Sequence, residues 1–293
     1  MIHTVSTALV RLRSNEPFWA PQWWRDRIIT DRPPALAAAL AGGDAPAGTP
    51  PLARAWSVAH VHGQESLVLV RPTVLDSKAT WHDDLLRAPA EVTIGAFAAA
   101  EHADAAQLRG AIHVARYERF VAVGAAPATL DEPSLARLRQ LTPDFVARTV
   151  PQATPLDRVL HAVLGLLHRR GALATPAFVA PELLRTALSE LGEQLGAAAP
   201  PLFLSDGRTL GVLHGRGRLR WACPSDPPRR AWRGTIPADG TVPPAAQLLV
   251  WSDEAARADA PLASDDVGPG TYSIACTAPH QLEPGAGSRP PLA

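Results

Sequence analysis

Two leucine-rich helical segments, with strand-forming runs on both sides of them, restrict this chain more than any other feature. In the first, Leu156, Val159, Leu160, Val163, Leu164 and Leu167 recur at helical spacing. Thr154 stands as its cap, Pro155 occupies its first turn, and Gly171 ends it. Pro181 opens the second, which carries Leu183, Leu184, Leu188, Leu191 and Leu195 and stops at Gly196. An apolar stripe of this width must lie on something flat and apolar, and the flanking sequence supplies it. Upstream, strands are expected at residues 2–12, 53–61, 66–70, 92–99 and 120–123. His62-Gly63-Gln64-Glu65 forms a hairpin connection, and Gly124 closes the run at Phe120. Downstream, Leu202-Phe203-Leu204, Thr209–His214, Arg218–Cys223, Gln247–Trp251 and Thr271–Cys276 read as strands. Strands, then two helices, then strands, joined by hairpin-type turns, point to an α+β fold of antiparallel sheets layered with helices rather than a βαβ alternation. One domain is expected over residues 1–280, with loop insertions near 41–52 and 224–244 and a flexible tail over 281–293.

Charge and composition remove several function classes. The 293 residues carry 28 Lys+Arg against 28 Asp+Glu, so no bulk basic face exists to hold nucleic acid or an anionic membrane. Lys78 is the only lysine, and Ala, Pro and Gly are abundant; we read this as codon choice in a high-GC bacterial genome. The start Met1-Ile2-His3-Thr4-Val5 has no basic region leading into a long apolar one, and Arg11 and Arg13 interrupt the early apolar stretch. No signal peptide or membrane span is expected, and the location expected is cytoplasmic. Cys223 and Cys276 lie far apart without a CxxC partner and read as reduced thiols.

Several residue groups offer chemistry. His60-Val61-His62 places two imidazoles on one face of a strand end, where Glu65, or His82 with Asp83-Asp84, would complete a metal site. Hairpin-end histidines are more often solvated, and no metal or other cofactor is expected. Ser205-Asp206-Gly207 lacks the GxSxG context of a nucleophile elbow and reads as a hairpin turn. Gly215-Arg216-Gly217 matches no phosphate loop and also reads as a turn. Lys78 sits among Asp76, Ser77 and Thr80, with nothing to depress its pKa for Schiff-base chemistry. Trp19, Trp23 and Trp24 beside Pro17 and Pro21 would pack a core more readily than line a cleft.

The segment from about Phe120 to Ala278 resembles the later part of class II glutamine amidotransferases of the N-terminal-nucleophile hydrolase fold. The resemblance is carried by Thr154-Pro155-Leu156-Asp157 opening the first helix and by Leu202-Phe203-Leu204-Ser205-Asp206-Gly207-Arg208-Thr209-Leu210 as a hairpin. Gln247-Leu248-Leu249-Val250-Trp251-Ser252-Asp253-Glu254 and Gly268-Pro269-Gly270-Thr271-Tyr272 complete it. It implies a layered αββα sandwich in which a cysteine after the initiator Met is the nucleophile and its own α-amine the base. Here Ile2 holds that position. The family's aromatic-x-His-Asn-Gly strand end, whose Asn is an oxyanion donor, corresponds to Phe120-Val121-Ala122-Val123-Gly124, with Ala-Val in place of His-Asn. Its His-x-Arg stretch falls on Gly95-Ala96-Phe97-Ala98-Ala99-Ala100, and the run nearest its Asp-Gly-x-Gly strand is Ala55-Trp56-Ser57-Val58-Ala59.

Four lost signatures lead to the expectation of a catalytically inert amidotransferase-like protein, with no catalytic, cofactor or metal residues. It would bind a protein partner, a biosynthetic enzyme or an amidotransferase-related subunit, or a small ligand. Two alternatives stay open: an amidohydrolase or glutamine amidotransferase with a substituted site, and a metal-dependent enzyme centred on His60 and His62.

Overall fold

The computed structural model describes residues 2–11, 52–62, 65–74, 92–101, 105–124, 130–149, 153–174, 178–214, 218–222, 247–253, 266–267 and 270–275, together with Trp81, Asp84 and Ala90. Twelve strands and five α-helices lie within them. The strands are β1 (Ile2–Arg11), β2 (Leu52–His62), β3 (Glu65–Val74), β4 (Val92–Glu101), β5 (Val114–Tyr117) and β6 (Phe120–Gly124). They continue as β7 (Leu202–Ser205), β8 (Thr209–His214), β9 (Arg218–Ala222), β10 (Gln247–Asp253), β11 (Asp266–Val267) and β12 (Gly270–Ala275). The helices are α1 (Ala105–Ala111), α2 (Glu132–Leu141), α3 (Asp144–Ala147), α4 (Pro155–Arg169) and α5 (Pro181–Leu195). The fold is α+β: two antiparallel sheets, one of seven strands in the order β11-β9-β10-β1-β4-β2-β3 and one of five in the order β12-β8-β7-β6-β5, with helices against them.

Alternation explains how each strand is used. In β6, Val121 and Val123 join one core cluster, and Phe120 and Ala122 join another. The first cluster draws on both sheets: Ala55, Ala59 and Val61 of β2 and Val92, Ile94, Ala96, Ala98 and Ala100 of β4 meet Val121, Val123, Phe203, Leu210 and Val212. The second holds the opposite side of the small sheet against α4 and α5, through Val159, Val163 and Leu167 of α4 and Leu184, Leu188 and Leu191 of α5. β6 and β7 are therefore buried on both sides, which accounts for the continuous apolar run of β6. Gly211 on β8 leaves room for α5: a Cβ there would meet Leu188 Cδ1 at 2.6 Å and Leu184 Cδ2 at 2.8 Å.

The expected helices stand where the stripe placed them. Thr154 and Asp157 form a reciprocal capping box at α4, and α5 begins at Pro181 and ends at Gly196. Several boundaries shift by a few residues. Leu52 belongs to β2 rather than to the insertion near 41–52, and β3 runs past Val70 to Val74 although it contains Pro72, which a sheet edge tolerates. The segments 224–244 and 281–293 and residues Trp19, Trp23, Trp24, Lys78, Arg216, Cys223 and Cys276 lie outside the described residues. Among the described residues, no helix is long and apolar enough to cross a membrane.

Candidate functional site

The layer between the two sheets is where the resemblance would place catalytic groups, and at the matched positions it is filled by small and aliphatic side chains. Ile2 of β1 pairs with Ala100 of β4, and β1 lies between β4 and β10. Along β4, Ala96, Ala98 and Ala100 are buried in the shared core beside Ile94 and Val92. On β2, Ala55 and Ala59 pair with Ala98 and Ile94, and both join the same core. Val123, at the position of the family's oxyanion Asn, is also wholly buried there. Its neighbour Gly124 is kept by contact rather than chemistry, because a Cβ there would stand 2.6 Å from the Pro201 carbonyl oxygen. The polar exception on this face of β2 is Ser57, and its hydroxyl donates to the Ile112 carbonyl. At these matched positions no described side chain is a general base, and the one hydroxyl among them, that of Ser57, is spent on the Ile112 carbonyl.

The histidine pair separates. His60 is 4% exposed, not solvated as a hairpin-end position suggested, whereas His62 is exposed. The cause is a cover over the far side of β2 and β4. Trp81 packs on Phe97 with ring centroids 5.2 Å apart, and Asp84 Oδ2 accepts from the Trp56 indole at 2.8 Å and from Arg71 Nε at 3.3 Å. His60 Nε2 lies 3.0 Å from the Asp84 carbonyl oxygen, which can only accept, so Nε2 carries the proton. Nδ1 then accepts from the Thr93 hydroxyl at 3.1 Å. Both ring nitrogens are committed, and neither offers a lone pair to a metal. No group of three His, Cys, Asp or Glu side chains able to hold a metal occurs among the described residues. His82 and Asp83 lie outside them.

Ser205-Asp206-Gly207 is a hairpin turn, as expected, and also a clamp that the sequence reading did not anticipate. Asp206 is fully buried, and both of its carboxyl oxygens act as acceptors. Oδ1 accepts from the Arg208 and Thr209 N–H groups at 3.0 and 2.9 Å, and Oδ2 accepts from Val179 N–H at 2.7 Å. The Thr209 hydroxyl returns a bond to the Val179 carbonyl at 3.0 Å, and Gly207 N–H donates to Ser205 Oγ at 3.0 Å. With its oxygen engaged in its own turn, Ser205 is not poised as a nucleophile. Gly207 holds φ 98°, a conformation that favours glycine.

A second polar group lies where α4 starts against β5. Asp157 accepts from Thr154 N–H at 2.8 Å and from the Thr154 hydroxyl at 2.7 Å, and His113 Nε2 is 3.2 Å from its other oxygen. Burial raises the Asp157 pKa, but the hydrogen bonds from His113 and Thr154 outweigh it and hold the carboxyl below its ordinary value. One turn on, His161 is buried, with Tyr117 edge-on at 5.9 Å. Desolvation, offset in part by Asp157, lowers its pKa. Its Nε2 has no hydrogen-bond partner among the described residues. The Thr154-x-x-Asp157 spacing signals the capping box; nothing in the local sequence brings His113 to it, because that contact spans 44 positions.

No family model matches the chain, and no curated protein matches it. Among solved structures it is similar to a glutamine aminotransferase class-II domain protein from Silicibacter pomeroyi, at 15% identity and a TM-score of 0.39 over 76% of this chain and 94% of that one. It is also similar to a predicted glutamine amidotransferase from Pseudomonas aeruginosa, at 12% identity and a TM-score of 0.37 over 93% of this chain and 83% of that one.

Proposed function

We propose that this chain is a catalytically inert amidotransferase-like protein of layered αββα architecture. On this reading it acts in the cytoplasm as a binding or scaffold subunit for a partner enzyme or a small ligand. The observation that carries the reading is the content of the inter-sheet layer. At the three interior stretches that the resemblance matches to catalytic strands, the side chains facing that layer are Val121, Val123, Ala96, Ala98, Ala100, Ala55 and Ala59, with Ser57, whose hydroxyl is bound to the Ile112 carbonyl, as the polar exception. Replacing a buried oxyanion donor and substrate-binding groups by methyl-bearing side chains removes transition-state stabilisation and leaves packing intact. A fold retained for its surface tolerates that change; a fold retained for acyl transfer does not.

The test is ammonia release from glutamine and simple amides by purified protein. Release indistinguishable from the buffer blank is expected. Turnover that reaches constant specific activity through purification, and that thiol alkylation abolishes, would overturn the reading in favour of a substituted active site. The scaffold half is tested by solution mass alone and beside the products of neighbouring genes: a heteromeric species supports it, and a monomer with every candidate sinks it.

A further inference from the structure

Among the described strands the seven-stranded sheet ends at β3, whose far end is blunted by Pro72 and a register shift but whose first seven residues still expose aliphatic side chains. Leu67 is 53% exposed and Val70 52% exposed, on opposite faces of the strand. The usable stretch is short and well bounded. It begins at Glu65, paired with His62 across the hairpin, and ends before Pro72, which has no N–H to donate, near the register shift between Arg54 and Trp56. Those seven residues, Glu65-Ser66-Leu67-Val68-Leu69-Val70-Arg71, are nearly palindromic about Val68, with opposite charges at the two ends.

We propose that β3 is a homodimer interface, at which a second copy of this chain adds its own β3 antiparallel across a two-fold axis through Val68. This goes beyond the scaffold reading and does not depend on it. A two-fold axis normal to the sheet keeps every residue on its own face, so only positions an even number apart can sit opposite one another. Centred on Val68, the pairing sets Val68 against Val68, Leu67 against Leu69 and Ser66 against Val70. It also sets Glu65 against Arg71 of the second copy, twice over. Moving the centre to Leu67 sets Glu65 against Leu69, and moving it to Leu69 sets Arg71 against Leu67, so only one register pairs the charges. Arg71 spends its Nε on Asp84 and keeps its other guanidinium donors. Fourteen-stranded continuity would satisfy the open backbone groups of both edges and cover both exposed aliphatic side chains. Seven residues a side is a small interface, so the dimer falls in the weak class, with dissociation at about micromolar concentration or above.

Sedimentation equilibrium of the full chain from about 5 to 500 µM, a range that spans weak association, should show a monomer–dimer equilibrium. Leu67→Arg, at an exposed position that leaves the fold intact by circular dichroism, should weaken it at least tenfold, and Glu65→Arg should weaken it more than Glu65→Ala. Val68→Cys should form a 68–68 disulfide under mild oxidation, since directly opposed Cα atoms lie about 4.5–5.5 Å apart. Leu67→Cys should not link to itself, its twin being about 8 Å away in this register. A monomer throughout the concentration range overturns the proposal and leaves the edge to a different chain. A dimer indifferent to Leu67→Arg, or a 67–67 link in place of a 68–68 link, overturns it equally.

Discussion

Asp206→Ala would strike the clamp that fixes the start of α5. That helix has no side-chain cap, since its N-cap is Ala180, so its entry is set one residue earlier by the bond from Val179 N–H to Asp206. Truncation strands the buried N–H groups of Val179 and Thr209 and the part-buried one of Arg208. A hydrogen bond to a charged acceptor contributes about 1.5–3 kcal/mol, and three sharing one carboxylate are not additive, so we expect a loss of about 3–5 kcal/mol. With an unfolding entropy of about 2.1 cal/mol/K per residue, 4 kcal/mol lowers Tm by about 7 °C in a chain of this length. Asp206→Asn keeps one acceptor but turns an amide donor toward one of the N–H groups, and should cost about 2 kcal/mol. Thr209→Val removes only the returning bond to the Val179 carbonyl and should cost about 1 kcal/mol. Urea unfolding followed by circular dichroism gives the three values, and hydrogen exchange at the Val179 amide reports whether the entry of α5 has loosened. If Asp206→Ala lies within about 1 kcal/mol of the parent protein, or if the order of the three variants is reversed, the clamp is not what holds this turn.

His161 is held below its ordinary pKa by burial, so the unfolded chain takes up that proton more readily than the folded one. Its contribution is intact above about pH 6.5 and is lost as pH falls below that; His161→Phe, which keeps the edge contact with Tyr117, should flatten the fall in urea midpoint between about pH 7 and pH 5. Asp157 is likewise depressed, and its contribution is present above its unfolded value and lost as pH falls through the lower folded one. Asp157→Ala should therefore cost about 1 kcal/mol at neutral pH through the broken capping box, and the difference should shrink as pH falls below the ordinary carboxylate range. Gly165→Ala places a Cβ 1.9 Å from the Leu141 carbonyl oxygen, which the end of α2 cannot easily move, and should cost about 3 kcal/mol. Gly211→Ala meets only leucine side chains that can rotate and should cost less, about 1 kcal/mol. Thermal unfolding of the two glycine variants side by side checks that order.

Legibility in the sequence followed the range of the interactions. The capped helices at 155–169 and 181–195 were visible because stripe, cap and stop all lie within one segment and agree with one another. Short elements were not. α1 has seven residues, of which Leu108 and Ala111 are buried, and two apolar positions make no period. α2 does carry a local start signal, Asp131 accepting from Ser134 N–H with Glu132 and Pro133 in the first turn, which sequence reading passed over. The burial of His60 was not legible at all, since Asp84, whose carbonyl meets its Nε2, comes from beyond the hairpin. The apolar content of Gly95–Ala100 could be read directly; that Ala96, Ala98 and Ala100 face the other sheet needed the register between β2 and β4.

The place of β1 governs how this protein can be made. β1 is paired on one edge by β4 and on the other by β10, whose residues 247–253 are synthesised long after it. On the ribosome, β1 can zip onto β4 and the β2–β3 hairpin early, but its second edge then stands open until β10 emerges. Contacts of such high sequence separation are slow to form, and an open apolar edge is a template for the wrong strand while it waits. The chain is therefore expected to close its larger sheet late and to be most prone to misassembly in truncated or slowly translated forms. A circular permutant that begins at β10, so that β10, β11 and β12 precede β1, should close the larger sheet earlier and refold faster than the natural order.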